Sequence, residues 1–259
     1  MLKDLIKLRM IQGYQAIPDP LMARPPAPFR GLPINPAASM NKWNSLDTTS
    51  LCPTGALEFD DSHMLISMDL GKCIFCGNCS KASPDTENQG IQFTDNPAMS
   101  SNTRNGLILR TGSEWKPLVQ MNSDLARIFS KSLKLRSVSA GGCNGCEMEL
   151  GACSNVNFDM GRYGIDVLAS PRHCDGLILT GPITVAMARA LEATWRAIPE
   201  PRLLILAGAC AISGGIFADS PQIHRRFLEL WSVSLYVPGC PFHPLTMIQG
   251  IMKLLKPSS

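Results

Sequence analysis

Apolar and polar positions follow two different rhythms along this chain. From about residue 133 onward, short apolar runs alternate with segments of helical spacing. The runs Leu133–Ser139, Ile165–Ala169, Gly176–Thr180, Leu203–Ala207 and Ser234–Val237 predict strands, and Glu147–Ser154, Thr184–Ala197, Pro221–Leu230 and Pro244–Leu255 predict helices. Strands alternating with helices imply a parallel sheet covered on both faces. An open α/β sheet is therefore expected over residues 132–259.

The first half lacks that rhythm. Residues 1–12 place Leu and Ile among Lys, Asp and Arg at helical intervals, which predicts a short amphipathic helix that packs on protein rather than on a membrane. Residues 17–39 are proline-rich with few periodic apolar positions, so residues 1–40 form an extended arm that starts with this helix. Residues 41–100 make a small cysteine-rich domain. Residues 101–131 form a connector with a strand-like piece at Gly106–Arg110 and a short helix at Ser123–Lys131.

Composition narrows the class. A chain of 259 residues accommodates one large domain or two smaller ones, and 45% hydrophobic with 17% charged residues describes a globular protein. A net charge of +3 is too small to point to nucleic acid. No run reaches the ~18 apolar residues of a membrane span. Residues Met1–Arg9 show no apolar core, cleavage site or twin-arginine pair, so a cytoplasmic setting is expected. Ten cysteines in such a chain read as metal ligands rather than as the disulfide framework of a small secreted domain.

The cysteines fall into two groups. Cys73, Cys76 and Cys79 form a C-x2-C-x2-C run, tight enough for one loop to wrap three corners of a [4Fe–4S] cube. In two-cluster ferredoxins such a run continues to a fourth Cys followed by Pro, which ligates the other cluster. Here Ser83 and Pro84 stand at that place. Upstream, Cys52 with Pro53 has the form of the end of an earlier repeat, whose own triplet falls on Lys42, Ser45 and Thr48. One complete quartet remains: Cys52, Cys73, Cys76 and Cys79. Zinc usually takes two separated cysteine pairs, so this spacing favours iron–sulfur.

Cys143 and Cys146, Cys210, and Cys240 each follow an expected strand within a few residues, and each sits among glycines or prolines. Loops at the carboxyl ends of parallel strands converge on one edge of an open sheet, and that edge gathers the four into a second [4Fe–4S] quartet. Helix N-termini just beyond would present N–H groups to an anionic cluster. Cys153 and Cys174 lack this setting and read as buried structural thiols. His243 reads as a hydrogen-bonded loop histidine. Glu147, directly after Cys146, reads as a first-turn acid, with a proton relay as the sharper hypothesis.

These residues carry a family likeness. Residues 133–255 resemble the small, cluster-bearing subunit of membrane-bound [NiFe] hydrogenases of the formate hydrogenlyase type, which is related to a complex I subunit. The matching pieces are Gly141–Glu149, Ser170–His173, Leu179–Gly181, Gly208–Cys210 with Ser213–Phe217, and Tyr236–Pro241. Phe29–Pro33, Cys52 with Pro53, and Leu70–Gly77 are similar to the ferredoxin-like electron-transfer subunit of the same complexes. The resemblance implies an α/β fold, an open parallel sheet with flanking helices (flavodoxin-like), preceded by a small ferredoxin-like α+β domain. It also implies a fusion of two neighbouring subunits with one cluster deleted.

Two [4Fe–4S] clusters are thus expected to relay electrons between a donor or acceptor protein and a [NiFe] centre in a separate large subunit, for H2 evolution or oxidation. Cys143, Cys146, Cys210 and Cys240 would hold the cluster nearer that centre. Membrane-arm subunits would keep the chain at the cytoplasmic face of the membrane. The C-x2-C spacing favours hydrogenase, because the complex I subunits carry two adjacent cysteines there. The alternatives are the equivalent subunit of a complex without nickel, and a zinc-stabilised assembly protein.

Overall fold

The computed structural model describes residues 2–34, 51–61, 65–81, 91–113, 115–116, 119–121, 123–129 and 132–256. Lys42, Ser45, Thr48, Ser83 and Pro84 lie outside them. Ten strands are numbered here in chain order among the described residues: β1 (Pro33–Ile34), β2 (Leu57–Phe59), β3 (Leu65–Asp69), β4 (Gln92–Phe93), β5 (Ile108–Arg110), β6 (Leu133–Ser139), β7 (Ile165–Val167), β8 (Gly176–Thr180), β9 (Leu203–Ala207) and β10 (Leu235–Val237).

Strands β6 to β10 form one parallel sheet in the order β10-β9-β8-β6-β7. Counted within the sheet this is 2-1-3-4-5, an order that reverses direction between β6 and β8 and leaves a crevice at the carboxyl ends there. The two central strands β8 and β9 are buried at every position, as continuous apolar runs covered on both faces should be. Alternation along them feeds two cores. Ile178, Leu203, Ile205 and Ala207 pack with Met247, Ile248 and Ile251 of the helix Pro244–Leu254. Leu177, Leu179, Leu204 and Leu206 pack with Leu191 and Trp195 of the helix Val185–Ala197 on the other face.

The expected elements are found with adjusted ends. The helix after β6 runs Gly145–Ala152, because Asn144 adopts a left-handed conformation that starts it early. The helix expected at Pro221–Leu230 shrinks to Phe227–Leu230. Upstream of it the chain is extended: His224 donates to the Ile183 carbonyl and Val185 to that of Gln222, so these residues pair with the loop before the Val185 helix. A five-residue helix, Ala209–Ser213, was not expected, since one turn between glycines shows no periodicity.

The first half wraps around the second. The helix Leu2–Gln12 forms, but none of its residues is buried. Leu8 and Ile11 also lie off the face of Leu2, Leu5 and Ile6, so the helix lacks a single apolar stripe and buries none of its residues against the described part of this chain. The arm beyond it is fixed by long-range hydrogen bonds. Gln249 donates to the Pro20 carbonyl at 2.7 Å, and the Ile17 N–H donates to Asn157. Strand β1 then pairs with β4, while β2, β3 and β5 form a three-stranded antiparallel sheet. Leu70, Met99 and Leu107, all fully buried or nearly so, join the second-face core of the parallel sheet.

Candidate metal centres

The first quartet lines one small cavity walled by Leu51, Leu57, Met68 and Phe93. Cys73 follows directly on β3 and its turn, with its backbone N–H bonded to the Asp69 carbonyl at 3.0 Å. Left-handed conformations at Phe75 and Gly77 curl the loop so that Cys76 and Cys79 face back. Backbone donors point at sulfur: Phe75 N–H to Cys73 at 3.3 Å, and Ala56 N–H to Cys52 at 3.2 Å. Burial raises the Cys73 thiol well above its ordinary range, and the charges of Cys79, Cys52 and Cys76 push it further, against the Phe75 hydrogen bond. Burial likewise lifts Cys79 to about 11, with Cys76 and Cys52 adding to it.

The second quartet sits where the carboxyl ends of β6, β9 and β10 converge. Cys143 and Cys146 lie in and just after the β6 loop, Cys210 in the helix Ala209–Ser213, and Cys240 after β10. Gly208 adopts φ +91°, and a Cβ placed on it would stand 2.5 Å from the Cys146 sulfur. Burial lifts Cys146 to about 12, opposed by a hydrogen bond from the Phe242 backbone and reinforced by Glu147, Cys210 and Cys240. Cys210 is raised to about 11 by burial, then by Cys240 and Cys143, while Arg225 lowers it. The two sites differ in access. Cys73 and Cys79 are buried, whereas Cys143 and Cys240 are exposed, as are Met148 on the helix Gly145–Ala152 and Ile216 in the turn after the Cys210 helix.

Thiols whose charged forms are this strongly opposed need positive charge to ionise, which a metal supplies as protons leave. Among the described residues no three His, Cys, Asp or Glu side chains are grouped closely enough to hold a metal ion directly. Each quartet nevertheless forms one mutually interacting set with sulfur-directed N–H groups. Four thiols with N–H groups directed at sulfur are the kind of donor set that an iron–sulfur core takes.

Cys153 and Cys174 are buried apart from both quartets. Cys174 donates to the Ser170 carbonyl, and Cys153 is lifted to about 12 by burial and by Glu149. Glu147 reaches β8, where Thr180 donates to its carboxylate at 2.5 Å. Burial works against its charge, but the Ser139 and Thr180 hydroxyls outweigh it and hold the carboxyl below its usual value. Arg225 carried no signal in the sequence. Its guanidinium donates to the carbonyls of Pro182, Cys210, Ala211 and Ile212, and main-chain acceptors leave no pattern of side chains to read.

His243 caps the helix Pro244–Leu254: its Nδ1 accepts from the Leu245 N–H at 3.1 Å, which requires a neutral ring. Burial pushes it down to about 4. Below its ordinary pKa of 6.5 the unfolded chain binds a proton that the folded chain does not take until about 4, so stability falls as pH drops through that window. His243→Asn keeps an acceptor for the cap without the titration. The wild-type melting midpoint should fall more steeply over this range than that of the variant, and parallel profiles would contradict the assignment.

A family model described as NADH ubiquinone oxidoreductase, 20 Kd subunit, matches residues 143–254. Formate hydrogenlyase subunit 7 of Escherichia coli (strain K12) is 38% identical over 138 residues, 53% of this chain and 54% of that protein. Probable membrane-bound hydrogenase subunit mbhJ of Pyrococcus furiosus is 31% identical over 148 residues, covering 57% of this chain and 89% of that one. NAD(P)H-quinone oxidoreductase subunit K 2 of Synechocystis is 44% identical over 112 residues, 43% of this chain and 51% of the relative. The chain thus spans about half the length of the first and third of these relatives, and most of the second.

Proposed function

The chain belongs to the family of the NADH ubiquinone oxidoreductase 20 Kd subunit, and from that premise we propose that it is an electron-transfer subunit of a membrane-bound energy-converting [NiFe] hydrogenase complex. Two [4Fe–4S] clusters, when bound, would supply one-electron chemistry, their potentials set by burial and hydrogen bonds to sulfur. Cys52, Cys73, Cys76 and Cys79 would hold one, and Cys143, Cys146, Cys210 and Cys240 the other. The observation that carries this proposal is the convergence of the second four at the carboxyl edge of the parallel sheet. The protein's own work is to bury the first site in apolar side chains and to leave the second open on one side. A large subunit with the [NiFe] centre would cover the open face beside Cys143 and Cys240, and a donor or acceptor protein would serve the first site. Among the described residues no helix is long and apolar enough to cross a membrane, which suits attachment through membrane-arm partners at the cytoplasmic face.

The 44% identity to a quinone oxidoreductase subunit favours a second reading, in which the large subunit has no nickel. Nickel analysis of the purified complex separates the two. For the clusters themselves, the anaerobically purified chain should be brown and carry roughly eight irons with matching acid-labile sulfide. A colourless chain, or one with zinc and no sulfide, would end this proposal. Glu147→Gln is expected to slow turnover by roughly a hundredfold, the low end of what a positioned proton-transfer group contributes, with the iron content unchanged. Equal turnover in the variant would remove the proton-relay role and leave Glu147 as a structural link from its helix to β8.

A further inference from the structure

The two quartets belong to different sheets, yet the loops that carry them touch at two separate seams. At the first, Gly71, two residues before Cys73, lies against the Cys210 helix. A Cβ on Gly71 would stand 2.8 Å from Ile212 Cγ2 and 3.0 Å from the Arg104 guanidinium. Gly71 has no left-handed backbone to explain its choice, so closeness of approach is the reason for glycine here. Both walls of this seam are fixed. Arg104 is held by a paired salt bridge to Asp69, whose carboxylate also accepts the Gly71 N–H. Ile212 is buried, and its carbonyl is held by Arg225 at 2.8 Å.

The second seam is made by the arm. Arg30 donates to the Phe75 carbonyl at 3.1 Å, inside the Cys73–Cys76 loop, and its guanidinium lies over Gly77. Phe29, the neighbouring residue, packs on His243 with ring centroids 4.8 Å apart. Ile74 and Phe75 of the first loop then line one small cavity together with Cys240 and Pro241 of the second.

We propose that these seams form a two-point clamp that sets the separation of the two cluster sites, with Gly71 and Arg30 as its positioning residues. The arm contact ties the Cys73–Cys79 loop toward Cys240, and the Gly71 contact ties the turn before it to the Cys210 helix. Electron tunnelling falls off steeply with distance, so a rigid spacing between carriers governs transfer while neither residue binds a cluster. This inference rests on the two-cluster function proposed above, and it adds which contacts fix the geometry.

The test is electron paramagnetic resonance of the anaerobically purified full chain after reduction with dithionite. The wild type should show two cluster signals broadened by their mutual magnetic interaction. Gly71→Val should keep both signals at full intensity with that interaction weakened, and Gly71→Val with Ile212→Ala should restore it by making room for the new side chain. Arg30→Ala should weaken it through the other seam. Wild-type interaction retained in both Gly71→Val and Arg30→Ala would overturn the clamp. So would a defect of Gly71→Val, in signal or in folding, that Ile212→Ala does not relieve. A wild-type chain with fewer than two cluster signals would instead remove the two-cluster function, and the clamp with it.

Discussion

Valine at position 208 is expected to empty the second site and leave the first one loaded. Gly208 combines two constraints that are independent of each other. Its φ of +91° lies where side chains bearing a Cβ are strained, and the added carbon would press to 2.5 Å on the sulfur of Cys146. The loop has no slack to relieve that contact. Gly208 donates to the Val237 carbonyl and Ala209 to that of Gly239, both at 2.8 Å, so the residue is stitched between β9 and β10. The Phe242 backbone N–H also favours the sulfur of Cys146 and opposes the effect of burial on the thiol. Gly208→Val should therefore lose about half of the roughly eight irons proposed for the wild type, as Cys210→Ser should, while Cys73→Ser should lose the other half. Iron and sulfide analysis of the three variants checks this directly. Gly151→Ala is the control: nothing lies within 4 Å of its new Cβ, and alanine in a helix is better by about 0.5–1 kcal/mol. Full iron in Gly208→Val would mean that Cys146 does not belong with Cys210 and Cys240.

The same residues show how much of this arrangement the sequence disclosed. Gly176–Thr180 and Leu203–Ala207 were legible to the residue because a strand buried on both faces needs a continuous apolar run, and Leu133–Ser139 because Leu133 and Leu135 alternate with Lys134 and Arg136. The grouping of Cys143, Cys146, Cys210 and Cys240 followed from topology, since parallel strands deliver their carboxyl ends to one edge. Contacts between the two halves were not legible. The Gly71 approach to Ile212, the Arg30 bond to a carbonyl and the four-way fork of Arg225 all depend on main-chain atoms or on bare proximity. Neither leaves a spacing in the sequence. The extended pairing of residues 222–224 was hidden for a related reason: local propensity favoured helix, and a partner loop forty residues away decided otherwise.

Phe242→Ala is expected to be the most destabilising single truncation near either site, at about 3–5 kcal/mol, the range for emptying a large aromatic from a packed core. The ring is fully buried and shares a core with Leu235, Val237, Met247 and Ile248, beneath the edge where the second quartet converges. That core has little freedom to collapse into the void. The edge strand β10 is held in register by β9 on one side and by the Ser101–Tyr236 bridge on the other, and the adjoining Gly239 already approaches the Phe242 backbone too closely for any Cβ. For a chain of this size the loss corresponds to a fall in melting temperature on the order of 10 °C. Leu230→Ala, at an exposed position, should stay within about 0.5 kcal/mol. Phe242 also couples packing to chemistry, because the residue that fills the core is the one whose N–H meets the Cys146 sulfur. Thermal unfolding and iron content measured on the same anaerobic samples separate the two effects. Gly208→Val should cost iron with a smaller change in melting, whereas Phe242→Ala should lower melting first and lose second-site iron as a consequence. A loss under about 1 kcal/mol for Phe242→Ala would show that the ring is not part of the core that supports the cluster edge.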